Sequence, residues 1–130
     1  MPGIKDVSWQ TVIAATAGQL SNTFGSSTPT TDSTFDADGC LGVKFKLSAV
    51  SLPTATKIYL VPKFVDSASV STYPALADGS LDYIVLTTAN YESAIYWDID
   101  ARYVGARVWL DAADAAATCT VQMKRIYPKT

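Results

Sequence analysis

Asp98 and Asp100 stand one residue apart inside Tyr91–Leu110, YESAIYWDIDARYVGARVWL, and their spacing is the chain's nearest approach to a catalytic pair. On a β-strand, residues i and i+2 project from the same face. Their carboxylates would then sit about 6.5 Å apart, within the span that glycoside hydrolases use for an acid and its partner. Arg102 and Arg107 follow closely, however. Paired with them, the two aspartates make a solvated or interface face, and that simpler reading is the one adopted.

A second acidic motif, Phe35-Asp36-Ala37-Asp38-Gly39, offers oxygen ligands around a sharp turn, as a calcium loop does. An EF-hand needs a bidentate Glu at its twelfth position. Counted from Asp36 that position is Leu47, and counted with Gly39 as the sixth residue it is Phe45. Both registers fail, leaving an Asp-Gly turn that leads into a strand. The chain has no His, which removes Ser-His-Asp and Cys-His nucleophilic arrangements and weakens any zinc site. No phosphate-binding Gly-rich loop is present. The sequence therefore predicts no enzyme, no cofactor and no metal. Cys40 and Cys119 read as small apolar side chains, with a disulfide between them as the alternative.

The elements that carry these residues are strands. Ser, Thr, Val, Tyr and Ala dominate, and Glu92 is the only Glu in 130 residues; that balance favours β-structure over helix. With 48% hydrophobic and 17% charged residues, residues 1–130 suffice for one domain with its own core. The net charge of −2 and pI near 4.8, without clustered Lys and Arg, argue against nucleic acid. No segment is long and apolar enough to span a bilayer as a helix. The N-terminal residues lack the pattern of a secretory signal, so folding in a cytoplasm is expected.

Alternation places strands at Val7–Thr16, Cys40–Val50, Lys57–Val65, Leu81–Thr88, Ala94–Asp100, Tyr103–Asp111 and Ala117–Ile126. Seven strands, or eight, with turn signals between them predict an antiparallel β-sandwich of jelly-roll type. Pro62 cannot donate to a ladder and predicts an edge or bulge within its strand. In Cys40–Val50, Val43, Phe45, Leu47 and Ala49 face inward; in the last strand Ala117, Cys119, Val121 and Met123 do. Asn90–Ser93 reads as a short excursion, a single helical turn at most. The polar run 17–34 is long for a compact domain and reads as an arm or a functional loop.

In Tyr91–Leu110 the periodicity assigns Ile95, Trp97, Ile99, Val104, Val108 and Leu110 to the core. Tyr96, Asp98, Asp100, Tyr103, Arg107 and Trp109 fall on the outer face. An exposed row of aromatics and Arg marks a protein interface or a platform for sugar rings, unless a loop folds over it.

The order Ile95-Tyr96-Trp97-Asp98-Ile99, Arg102-Tyr103-Val104-Gly105-Ala106-Arg107-Val108-Trp109-Leu110 and Ala117-Thr118-Cys119-Thr120-Val121 resembles small β-sandwich virion proteins of tailed bacteriophages, of the capsid decoration or cement type. The aromatic-Asp-Ile and Arg-Tyr-Val elements also resemble galactose-binding-like jelly rolls. The phage resemblance implies a non-enzymatic protein on the virion surface, made in the host cytoplasm. It would bind the major capsid protein and other virion subunits as a homo-oligomer, a trimer favoured. In that setting the 17–34 arm would lie across a neighbouring subunit and order on contact. The alternatives are a carbohydrate-binding jelly-roll module and a tail or head–tail connector component.

Overall fold

A computed structural model describes residues 8–67, 70–89, 91, 94–97, 99 and 101–128. Asp98 and Asp100 lie outside the described residues, as does most of the 90–93 excursion. Among the described residues ten strands form: β1 (Trp9–Ala15), β2 (Thr31–Asp32), β3 (Phe35–Asp36), β4 (Gly42–Ser51), β5 (Ile58–Val65), β6 (Ser71–Thr72), β7 (Ile84–Leu86), β8 (Ala94–Trp97), β9 (Tyr103–Leu110) and β10 (Thr118–Ile126). One sheet runs β2-β1-β10-β4-β8, and the other runs β3-β9-β5 with β6 and β7 both beside β5. Every pairing is antiparallel.

The pairs are nested. β1 pairs β10, β3 pairs β9, β4 pairs β8 and β5 pairs β7, so the first strand of this set meets the last and each later pair lies inside the one before. That is the jelly-roll path of an all-β sandwich, as the periodicity led one to expect. The three strands beyond the seven placed by alternation, β2, β3 and β6, are two residues each and sit at the sheet edges.

The inward faces supply the core. Val43, Phe45 and Leu47 of β4, Ile58 and Leu60 of β5, Val104, Ala106, Val108 and Leu110 of β9, and Cys119, Val121 and Met123 of β10 are all buried. Burial of each large aliphatic chain is worth about 1.5–3 kcal/mol relative to exposure, which is what closes two sheets over each other.

Ala49 departs from the expected pattern. Across from β4, Thr120 pairs Ala49 but Val121 pairs Leu47, so Ser48 is an extra residue. This bulge flips the phase of the strand's end, leaving Ala49 exposed and packing Val50 against the core. A matching irregularity between Thr11 and Ile13 lies across the same stretch of β10.

Pro62 lies inside a strand with neighbours on both sides, yet it has its edge. Along β5, Ile58, Tyr59 and Leu60 pair β7, and Phe64 and Val65 pair β6. The partnerless stretch between them on that side centres on Pro62, where no N–H is available to donate.

The 17–34 run is not an extended arm. The Gln19 side-chain carbonyl accepts the Thr16 and Thr30 backbone N–H groups at 2.8 and 2.9 Å and the Thr30 hydroxyl at 2.8 Å. The Leu110 N–H donates to the Ser21 carbonyl at 2.8 Å, and Leu20 enters the core. β2 then joins β1, β3 joins β9, and Ser33-Thr34 cross from one sheet to the other. The crossing is tight: a Cβ on Gly105 would lie 2.6 Å from the Ser33 carbonyl oxygen. This segment seals one flank of the sandwich.

Candidate functional site

Register fixes the outer face of the β9–β5 pair. Tyr103, Gly105, Arg107 and Trp109 alternate with the buried residues of β9, and their cross-strand neighbours are Val65, Lys63, Val61 and Tyr59. Tyr103, Arg107 and Trp109 therefore share a face, as the sequence suggested. That face carries its own cover. Trp109 packs edge-on with Phe24 at 5.0 Å between ring centroids and with Tyr83 at 5.8 Å, and it tilts against Tyr59 at 5.3 Å. Phe24 also meets Tyr73 at 5.1 Å. Edge-to-face pairs of this kind add about 0.5–1.5 kcal/mol beyond area burial. Beneath them Val61, on the outer side of its strand, is fully buried.

Charge completes the cover. One oxygen of Asp32 accepts from Lys63 Nζ at 2.6 Å, and the other forms an ion pair with Arg107 Nη1 at 3.2 Å. Lys63 is itself buried, a position tolerable for an ammonium only beside a counter-charge. Arg107 Nε donates to the Tyr73 hydroxyl at 3.4 Å. The buried Ser27 hydroxyl donates to the Val108 carbonyl at 3.3 Å. Asp32, Lys63, Phe24, Ser27 and Tyr73 had no sequence pattern to announce them: each is an ordinary polar or aromatic residue whose partner lies far along the chain.

Tyr96 belongs elsewhere. It sits on β8 of the other sheet with its ring edge-on to Phe45 at 6.5 Å and is packed against the core. Its hydroxyl donates to the Asp82 carbonyl, and burial, followed by the Asp82 charge, pushes the phenol up to about 12. The side chains assigned to the core of this strand point outward instead: Ile95 is 40% and Trp97 54% exposed. The phase of β8 is thus the reverse of the expected one, because Tyr96 pairs the core residue Val43 while Ile95 pairs the outward Lys44. Ile99 does pack on the core. The expected constellation of Tyr96, Tyr103, Arg107 and Trp109 is divided between two sheets.

The Asp-Gly turn is held by its own chain. Asp36 accepts the Asp38 N–H at 2.9 Å and a guanidinium contact from Arg102 at 3.1 Å; the Arg102 hydrogen bond, then the Asp38 N–H, hold its carboxyl below the usual range. Among the described residues no group of three or more His, Cys, Asp or Glu side chains is placed to share a metal ion. Cys40 and Cys119 are free thiols, and burial pushes Cys119 up to about 12.

Across the sandwich, the outer face of the β1-β10-β4-β8 sheet has a different character. Trp9, Lys124, Lys44 and Ile95 are successive cross-strand neighbours. The Lys46 ammonium lies 4.3 Å from the Trp9 ring centre and that of Lys124 6.0 Å. A groove of about 350 Å³ beside this row is lined by Lys44, Lys124, Arg125, Ile126 and Tyr127. No family model, no curated protein and no solved structure matches the chain.

Proposed function

We propose that this chain is a non-enzymatic virion structural protein, a capsid decoration or cement protein that binds the assembled shell of a tailed bacteriophage and stabilises it as an oligomer. The observation that carries the reading is how the charged and apolar side chains are divided. Asp32, Asp36, Asp111 and Asp114 are each engaged in holding a turn or loop in place, while Leu41, Ile95 and Trp97 are left exposed. Apolar side chains exposed beside a polar rim favour contact between macromolecules over chemistry on a small molecule. The resemblance of Ile95–Leu110 to virion accessory proteins points the same way. The major capsid protein is the proposed partner, the virion surface the proposed location, and a trimer the proposed assembly.

The rival reading, a carbohydrate-binding jelly roll, uses the same fold class, so architecture does not separate them. It is weakened at Trp109, where Phe24, Tyr59 and Tyr83 already pack against the ring that would serve as a sugar platform.

Light scattering on the purified protein, co-sedimentation with shells of the phage that encodes it, and a glycan array decide between them. An oligomer that sediments with shells and raises their rupture temperature supports decoration. A monomer that ignores shells and binds one defined sugar refutes it. Binding confined to tails in immunogold micrographs assigns the protein to the connector or tail instead.

A further inference from the structure

The outer face of the β1-β10-β4-β8 sheet holds three lysines and, among the described residues, no ion pair. The pairs that form lie at Lys63, Arg102 and Arg107. Lys44 and Lys124 are direct cross-strand neighbours, an arrangement that costs stability when both are charged. Lys46 stands two residues along β4 on the same face, opposite Gln122. Trp9 offsets part of the repulsion by offering its ring to Lys46 and Lys124. Three cations, Lys44, Lys124 and Arg125, border the adjoining groove.

On the flank beside the lysines, Ile95 and Trp97 are exposed. Trp97 lies so close over the backbone of Gly42 that a Cβ there would come within 2.5 Å of its Cε3. The face therefore offers positive charge on β10 and β4 and apolar surface on β8, with Trp9 of β1 beside the lysines.

We propose that this face docks an acidic, partly apolar polypeptide segment of a partner protein. Lys44, Lys46 and Lys124 meet its carboxylates, and Ile95 and Trp97 cover its apolar side chains. The inference deepens the proposed function and rests on the partner being a protein. A uniform polyanion such as nucleic acid is the poorer fit, because Ile95 and Trp97, the exposed side chains among the described residues of that flank, offer apolar surface where a run of phosphates needs cations.

The test uses the full chain and a synthetic peptide of alternating Glu and Leu as probe, with binding followed by backbone amide shifts in low-salt buffer. Shifts confined to β10, β4 and β8 are expected, weakening as salt rises. Binding should fall at least about tenfold in the K44E/K124E double variant. K44Q/K124Q, which relieves repulsion and keeps the fold, should also lose binding, and K57E, outside this face, should retain it. Heparin or duplex DNA binding more tightly than the peptide overturns the proposal, as does undiminished peptide binding by K44Q/K124Q. Wild-type protein that sediments with shells, while K44Q/K124Q does so equally, removes this face and leaves the decoration reading intact. Peptide binding through the lysines without shell binding does the reverse.

Discussion

The two outer faces of this sandwich are built from strands of similar alternation and have opposite fates. Behind β9 and β5, segments from elsewhere in the chain bring Phe24, Asp32, Tyr73 and Tyr83 over the outer surface and leave Arg107 and Trp109 half-buried beneath them. Behind β10 and β4, Lys46 and Lys124 lie over the Trp9 ring, and Lys44 stands directly opposite Lys124. The first face uses charge to fasten a loop; the second holds like charges side by side. Whether the outer residues of a strand form a surface is decided by where distant loops land, and the strand itself carries no mark of it.

The sharpest way to break the comparison is through its tryptophans. Trp109→Ala removes the ring on which Phe24, Tyr59 and Tyr83 converge, and should cost about 3 kcal/mol in denaturant unfolding. Trp97→Ala removes a ring that is 54% exposed, and should change stability by no more than about 0.5 kcal/mol. Equal effects would mean that the loop cover contributes nothing.

Asp32→Asn tests the ionic half of that cover. Lys63 would be left buried without its counter-charge, at a cost of about 2–4 kcal/mol. The loss should be local first: hydrogen exchange at Ser33, whose N–H donates to the Val12 carbonyl at 2.9 Å, should accelerate before that of the β10 ladder. Lys63→Met in the Asp32→Asn background should recover part of the stability, because it removes the stranded charge.

How much of this was legible follows the same division. The inward faces of β9 and β10 could be read directly, since Val104, Ala106, Val108 and Leu110, and then Cys119, Val121 and Met123, alternate with polar or larger amphipathic residues. β8 could not, because Ile95, Tyr96 and Trp97 are apolar on both faces and periodicity has nothing to choose between; its pairing with β4 sets the phase. The displaced Ala49 needed knowledge of a bulge that only the register with β10 reveals. In the candidate surfaces, Tyr103, Arg107 and Trp109 were found because they alternate with core residues. Asp32 and Lys63 were missed because an ion pair across 31 positions leaves no local pattern. Lys44 and Lys46 alternate with the inward Val43, Phe45 and Leu47 and so share the other face of β4, but Lys124 joins them only when β10 is laid beside β4.

Acid should dissolve a third kind of contact, independent of either face. Asp111 accepts the Thr56 hydroxyl, the Thr56 N–H at 2.9 Å and the Lys57 N–H at 3.1 Å, and the hydroxyl bond, then the Thr56 N–H, lower its carboxyl to about 2 from an ordinary 3.8. A carboxyl lowered by folding contributes stability that is complete above its unfolded value and is lost as pH falls toward the folded one. The urea midpoint should therefore fall between about pH 4 and pH 2, and Asp111→Asn should flatten that fall. Asp114, lowered chiefly by the Ala55 and Thr54 N–H groups, should steepen it in the same direction.

The smallest effect carries the opposite sign and bears most directly on the uncovered face. Lys44 and Lys124 repel across one rung of the ladder, so replacing either by Gln should raise stability, by about 0.2–0.5 kcal/mol in low salt and less as screening grows. The same exchange of a charge for an amide at Asp32 should lower stability, because there the charge is matched. A chain selected for folding alone would have no use for the lysine pair, whereas one that meets carboxylates on a partner gains from it at the moment of contact. If Lys44→Gln and Lys124→Gln both destabilise the protein, the repulsion is already neutralised within the fold, and the two faces differ in cover but not in how their charge is balanced.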